Sequence, residues 1–313
     1  MKRFIAPLLI CPACLPKELP LALTVRRETA GDVIDGDLDC RGCRRRFPIR
    51  DGLALLTPDP SATAGGSQWR YEEAGTVHSY LWSHFSDLLA APEANTAYAE
   101  WSGQLATLAG PALDAGCAVG RLTFELAARS ELAVGCDLSQ AFIRTARRLA
   151  GERQLSFDLP REGNLRDEFT LTLPDRLPAE RTEFVVADAL RLPFTRHTFG
   201  QAASLNLLDR VSYPLAHLFE MNRVCHPAVS RLLFSSPFAW TSATTPEERW
   251  LGGTTTGPYP GRGIDNVRRL LTGQDSLLVP PWRILAEGSV QWRLRSHANH
   301  REEIRSLFLA ADR

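Results

Sequence analysis

The stretch Leu113-Asp114-Ala115-Gly116-Cys117-Ala118-Val119-Gly120-Arg121, with the run Leu122–Ala128 behind it, decides the fold. A short apolar approach ends in a turn holding two glycines, and helix-forming residues begin at once. Gly116 and Gly120 permit left-handed backbone and let a ligand come close to the main chain. The helix behind them presents unpaired N–H groups and the positive end of its dipole. A second apolar strand, Glu131–Cys136, leads into Asp137. An acidic side chain about 20 residues past the turn is placed to accept from both hydroxyls of a ribose. The stretch reads as a nucleoside-type cofactor site at the start of an α/β sheet.

Downstream the same alternation continues. Phe142, Ile143, Ala146, Leu149 and Ala150 recur at helical spacing, so 139–150 is expected as an amphipathic crossover helix. Residues 152–182 lack a strong period and read as an insertion carrying short strands, Thr170–Leu173 among them. Glu183–Ala187 is a buried strand that runs into Asp188 and Ala189. Ser204-Leu-Asn206 ends the next strand, 211–223 is expected as a helix, and Ser230–Ser235 as a further strand. Short buried strands alternating with helices predict a doubly wound parallel sheet, with ligands outside the strand C-termini. Trp282–Arg313 is expected to supply final strands and a helix, without chemistry of its own.

Upstream lie two CxxC knuckles, Cys11-Pro-Ala-Cys14 and Cys40-Arg-Gly-Cys43. Each aims two thiolates at one point, and the pair closes a tetrahedral zinc site without an open position, which is structural rather than catalytic. A segment this short builds little core, so the metal supplies much of its folding free energy. Arg41, Arg44, Arg45, Arg46 and Arg50 cluster beside the second knuckle. They read either as a polyanion-binding face or as partners of Asp32, Asp35, Asp37, Asp39 and Asp51. Thr57–Gly66 is rich in Pro, Gly, Ser and Thr, as in a linker. Trp69, Tyr71, Tyr80, Trp82, His84 and Phe85 follow, either a helix packed on the main domain or a lid over its site. Residues 95–108 are expected as a helix entering the first strand. The domain reading is therefore 1–58 zinc ribbon, 59–110 linker and entry or lid helices, and 111–313 cofactor-binding domain.

The 313 residues carry zero formal net charge, which gives no global pull towards nucleic acid or membrane. Lys2 and Lys17 are the only lysines, so arginine is partly a compositional habit. No run is long enough to span a bilayer, the first ten residues are a poor signal peptide, and a cytoplasmic location is expected. Seven cysteines fit metal plus free thiols in that compartment. The seven histidines show no metal-ligand spacing.

A dinucleotide fingerprint needs G-x-G-x-x-G, and here Ala118 occupies the central position. The order Asp114-x-Gly116-x-x-x-Gly120, then Asp137, then Asp188-Ala189 resembles class I S-adenosylmethionine-dependent methyltransferases across 111–237. That resemblance implies cofactor contacts from Asp114, Gly116, Ala118, Gly120, Asp137, Leu138, Asp188, Ala189 and Asn206. The loop would approach the methionine portion, Asp137 the ribose hydroxyls, Asp188 the adenine amino group and the Ala189 N–H a ring nitrogen. The N-terminal segment resembles the zinc ribbons that accompany some methyltransferases, fused or as an activator subunit, which implies a protein partner through the ribbon.

For the substrate, Ser204–Arg210 lacks the Pro-Pro-aromatic tetrad that enzymes acting on exocyclic base amines or glutamine amides carry. Ser235-Ser-Pro-Phe-Ala-Trp240 and Thr245-Pro-Glu-Glu-Arg-Trp-Leu-Gly-Gly253, with the 116–126 wording, resemble the methyltransferase domain of ovothiol biosynthesis. The resemblance implies N-methylation of an imidazole in a small thio- or seleno-histidine. Methyl transfer to a nitrogen already holding its lone pair needs positioning more than a base. Asn206 is the first candidate to orient the ring, with Asp209 for the substrate ammonium and Arg210 or Arg249 for its carboxylate. Trp240 and Trp250 are candidates to stack on the imidazole, or loop packing. Rival readings are a zinc-ribbon-guided RNA methyltransferase and a catalytically silent adaptor that binds the cofactor.

Overall fold

The computed structural model describes residues 1–58, 66–89 and 95–313. Most of the Thr57–Gly66 linker reading lies outside the described residues. The chain opens with a four-strand meander: β1 (Leu21–Thr29), β2 (Asp32–Cys40), β3 (Arg46–Arg50) and β4 (Leu53–Leu56). Two of its turns are two-residue loops, Ala30-Gly31 and Asp51-Gly52, with positive φ at both positions. Such turns match the twist of the flanking strands.

A 3-10 segment, Gly66–Glu72, then α1 (Ala74–Phe85) and α2 (Ala97–Ser102) lead into the main sheet. The helix expected over 95–108 is thus a short one; the chain leaves it at Gly103. There follow β5 (Pro111–Ala115), α3 (Arg121–Ala127), β6 (Leu132–Asp137) and α4 (Gln140–Glu152). The insertion is an antiparallel hairpin of β7 (Gln154–Glu162) and β8 (Leu165–Thr172). Next come β9 (Thr182–Ala187), β10 (Gln201–Leu205), α5 (Pro214–Val224), β11 (Arg231–Ser236) and α6 (Gly263–Leu271). Pro214 opens α5 at the first turn, where a missing N–H costs nothing. The chain ends in β12 (Arg283–His297) and β13 (His300–Asp312).

The strands form one sheet in the order β1-β2-β3-β4-β9-β6-β5-β10-β11-β13-β12. Its centre, from β4 to β11, is parallel. The expectation of a purely parallel sheet is corrected at one end: β13 runs antiparallel to both β11 and β12. A tight hairpin reverses the chain there, so no crossover helix is needed and the helix expected after Trp282 does not form. The result is a Rossmann-like mixed sheet. Among the described residues, no helix is long and apolar enough to cross a membrane.

The core follows from the sequence pattern. β5, β6 and β9 are flanked by helices, and Leu113, Val134 and Val185 are fully buried. The first side of the core is continuous with Val33, Leu38, Phe47 and Ile49 of the meander. The other is aromatic: Leu81, Trp82 and Phe85 of α1 meet Phe124, Phe142 and Phe184.

Candidate cofactor and substrate site

The parallel strands β5, β6, β9 and β10 end at one edge of the sheet, above which opens a cavity of about 1090 Å³. The loop after β5 is tied down by two main-chain bonds: Gly116 N and Cys117 N both donate to Cys136 O, at 2.8 and 3.0 Å. Gly116, Ala118 and Gly120 all have positive φ. A Cβ on Gly120 would stand 2.6 Å from the Phe184 ring, so this glycine is required by packing at the start of α3.

Asp114 does not reach the cavity. It is buried beneath the loop, where the Thr123 hydroxyl donates to its Oδ2 at 2.7 Å. Burial pushes its carboxyl up to about 7. Asp114 therefore supports the loop, and Gly120 starts the helix; neither lines the cavity.

Gly116, Ala118, Asp137, Leu138, Asp188, Ala189, Asn206 and Arg210 all do. Asp137 Oδ1 accepts from Ser139 N at 2.9 Å and Oδ2 from Ala118 N at 3.1 Å. Burial pushes this carboxyl up to about 6, against the pull of those donors. At the end of the neighbouring strand, Asp188 Oδ1 accepts from Leu190 N at 2.9 Å, and burial raises its carboxyl too. Ala189 is fixed by His217, whose Nδ1 lies 3.1 Å from Ala189 O and whose Nε2 lies 2.8 Å from Ser204 Oγ. Burial pulls His217 down to about 4, so the ring is neutral: Nδ1–H donates to the carbonyl and Nε2 accepts from the serine.

Asn206 holds φ +56°, and its N–H donates to Ser235 O at 2.7 Å. Its Oδ1 is buried without a partner among the described residues. Such an orphan is costly unless a ligand satisfies it.

Four residues expected at the substrate end, Asp209, Trp240, Arg249 and Trp250, are not among those lining the cavity. Asp209 is fully buried; Ser236 Oγ donates to its Oδ1 at 2.8 Å, and its Oδ2 lies 3.4 Å from Arg210 Nε. It stands behind Arg210 rather than at the cavity. Trp240 and Trp250 stack on each other, centroids 6.1 Å apart at 14°, and Trp250 Nε1 donates to Thr245 O. Arg249 lies over the Tyr213 ring and donates to Ser212 O. In this segment Pro237, Ala239, Ala243 and Thr244 form the wall, while the half-buried Trp240 packs against the core.

The aromatic run of 69–85 divides. Tyr71, Tyr80 and His84 line the cavity, Trp69 is exposed, and Trp82 and Phe85 are core. The segment is pinned by Glu72, whose two oxygens accept from Gln140 N and Ala141 N at the start of α4. Two parts of the wall escaped the sequence reading. Tyr98 of α2 is one. The other is the last hairpin, which contributes Trp292, Leu294, Ser296, Glu302 and Ile304. Period-two alternation in β12 puts Trp292 and Leu294 on one face, and tertiary packing turns that face to the cavity.

The site fits S-adenosylmethionine on its own chemistry. Two half-buried carboxylates stand at adjacent strand ends, each with acceptor capacity left for hydroxyl or amino donors. At the N-terminal cluster, the Sγ atoms of Cys11, Cys14, Cys40 and Cys43 lie within 4.8 Å of one another. Cys11–Cys43 is 3.6 Å and Cys14–Cys40 is 3.8 Å. Tetrahedral zinc with bonds of about 2.3 Å would hold thiolates about 3.8 Å apart, so the four fit that ion. Of the neighbouring arginines, Arg46 pairs with Asp39 at 3.0 Å and Arg50 approaches Asp37 at 3.9 Å.

Residues 113–230 match the family described as a methyltransferase domain, and residues 2–52 match the one described as Trm112p-like protein. No curated protein matches the chain. Among solved structures, the chain is similar to a SAM-dependent methyltransferase from Methanosarcina mazei, with 18% identity over 67% of this chain and 95% of that one, TM-score 0.41. It is also similar to a putative methyltransferase from Bacillus halodurans, with 10% identity over 70% and 99%, TM-score 0.43. A third is a protein from work on conversion of a disulfide bond into a thioacetal group during echinomycin biosynthesis, with 20% identity over 69% and 80%, TM-score 0.44. The chain is an S-adenosylmethionine-dependent methyltransferase of Rossmann-like fold, with a Trm112p-like segment in front of its catalytic domain.

Proposed function

We propose that the chain methylates an imidazole nitrogen of a small thio- or seleno-histidine-type amino acid. The observation that carries this reading is the cavity wall. It is lined by Tyr71, Tyr80 and the last hairpin, and it carries guanidinium groups (Arg70, Arg210) and carboxylates (Glu73, Glu302) together. A small zwitterion finds both its countercharges there. The order of Ser204–Arg210 and the 235–253 wording support the same substrate class.

When bound, the cofactor supplies an electrophilic methyl group on a sulfonium. In this reading Asp137 accepts the ribose hydroxyls. Asp188 and the Ala189 main chain take the adenine edge, and Gly116 and Ala118 allow the methionine end to approach. Asn206 offers its unpartnered Oδ1 to hold the substrate ring. Arg210, backed by Asp209, takes a carboxylate through its guanidinium fork. Residues 1–58 act as a zinc ribbon with a protein partner, and 59–110 as the linker with entry or lid helices.

Incubation with S-adenosylmethionine and 5-thiohistidine or 5-selenohistidine, read by mass spectrometry, is expected to give a singly methylated product. Labelled RNA, with neither amino acid methylated, would instead establish the ribbon-guided RNA reading. Cofactor binding without turnover on any of them would establish the adaptor.

A further inference from the structure

One buried polar pair at the cavity wall has no role in the contacts described so far. His84 of α1 and Tyr98 of α2 both line the cavity. The Tyr98 hydroxyl lies 2.8 Å from His84 Nε2, and the two rings stand 4.3 Å apart at 38°. The Tyr80 ring lies 5.3 Å from His84. His84 Nδ1 is enclosed without a partner among the described residues.

A neutral imidazole carries one N–H, so the pair has two possible arrangements. If the hydroxyl donates to Nε2, Nδ1–H has nothing to accept it. If Nε2–H donates to the phenol oxygen, the Nδ1 lone pair is orphaned and the phenol proton is left to donate. Either way the pair is at least one hydrogen bond short beside a cavity that admits small molecules.

Ionisation does not relieve this. Burial and the nearby Arg121 guanidinium pull His84 down to about 3, and burial pushes the Tyr98 phenol well above its usual value. The titratable and charged groups around the pair are Arg121, Asp114, Tyr80 and Cys117. The pair therefore stays neutral near pH 7 and is no proton sink. A buried carboxylate or ammonium would find no countercharge in it. An uncharged ring with its own donor and acceptor finds both a polar partner and aromatic faces.

We propose that the Tyr98–His84 pair seats the methyl acceptor, an uncharged heteroaromatic ring held by hydrogen bonding and flanked by Tyr80. The inference rests on the reading of this cavity as the transfer site. The ring nitrogen attacks with a free lone pair. The N–CH3 bond forms as the S–CH3 bond breaks, and that electron pair stays on sulfur as a thioether. No proton moves in this step; the ring's other N–H proton leaves afterwards to water.

The test is imidazole, titrated into protein saturated with S-adenosylhomocysteine and labelled with 15N-histidine. Imidazole is expected to shift the His84 Nδ1 signal. Tyr98→Phe is expected to weaken imidazole binding about tenfold, the worth of one lost hydrogen bond, and to leave S-adenosylhomocysteine affinity within about twofold. An unmoved His84 signal, no imidazole binding, or equal imidazole affinity in the variant overturns the inference. So does a loss that falls on S-adenosylhomocysteine instead, because the pair would then serve the cofactor. The wild-type signal decides the matter alone should the variant not fold. Imidazole bound at His84 with 5-thiohistidine left unmethylated sinks the proposed substrate and keeps this inference.

Discussion

Asp114 is held beneath the Gly116–Gly120 loop by Thr123, and its placement gives it an unusual pH signature. An unfolded aspartate ionises near 3.8, whereas burial holds the folded one to about 7. Between those values the folded state binds more protons than the unfolded one, so stability falls as pH rises through that window and then levels. Asp114→Asn keeps an acceptor for the Thr123 hydroxyl and removes the buried charge. It is expected to stabilise the cofactor-free protein by about 1–3 kcal/mol at pH 8 and by little at pH 4. Thermal unfolding at the two pH values reads this, and equal effects at both would refute it. Asp137, exposed to the cavity, gives a different expectation: Asp137→Ala should cut S-adenosylmethionine affinity at least tenfold by calorimetry while the fold persists. Both carboxylates stand near the C-terminal ends of buried strands, at places the βα order marks in the sequence, but which of them faces the cavity is decided by the loop above Asp114. Trp240, Arg249 and Trp250 were not legible, because irregular chain carries no period that says which way a side chain faces. The orphan polar atoms of Asn206 and His84 arise from tertiary enclosure, which a linear pattern does not contain.

Glu72 shows how an element outside the sheet is locked to it. Its carboxylate accepts from Gln140 N and Ala141 N, and Ser139 Oγ donates to Tyr71 O at 2.9 Å. A negative charge at a helix N-terminus satisfies orphan donors and complements the dipole. The segment 66–72 is thus tied, beside the cavity, to α4, the helix that follows the Asp137 strand end. Glu72→Ala is expected to cost about 1 kcal/mol at this cap. Amide hydrogen exchange in 70–80 should then speed up and S-adenosylmethionine leave several-fold faster, with little change at β5 or β10. Unchanged exchange would mean that the aromatic contacts of Tyr71 and Tyr80 with Phe142 suffice. At this scale the strongly periodic elements were readable, α4 and the strands of 131–236 above all. The last hairpin was half readable: its alternation gave strands, but its length and its antiparallel entry beside β11 come from sheet pairing, a long-range choice.

The four cysteines and the methyltransferase sheet belong to one mechanical unit. β4, the last strand of the N-terminal meander, pairs in parallel with β9 through Leu55–Val186 and Leu56–Ala187. Arg147 of α4 joins Asp32 of β2 at 2.7 Å and also engages the buried Glu183 of β9. Leu9, Phe47 and Ile49 share a core with Leu113, Val134 and Val185. The two CxxC knuckles were evident from spacing, but 1–58 read as a domain separated by a linker; the strand pairing makes it the edge cover of the parallel sheet. An uncovered β9 would expose unpaired main-chain groups, an edge open to self-association. Metal removal should therefore reach the cofactor site, through β9 and the Asp188 that follows it. Chelation, or Cys40→Ser, is expected to lower one cooperative unfolding transition by more than about 10 °C, since structural zinc contributes several kcal/mol. Calorimetric scans with and without chelator, alongside S-adenosylmethionine titrations, separate the alternatives. Two resolved transitions, with the upper one and cofactor affinity both unmoved, would mean that the ribbon is an independent appendage and that the β4–β9 pairing contributes nothing to the catalytic half.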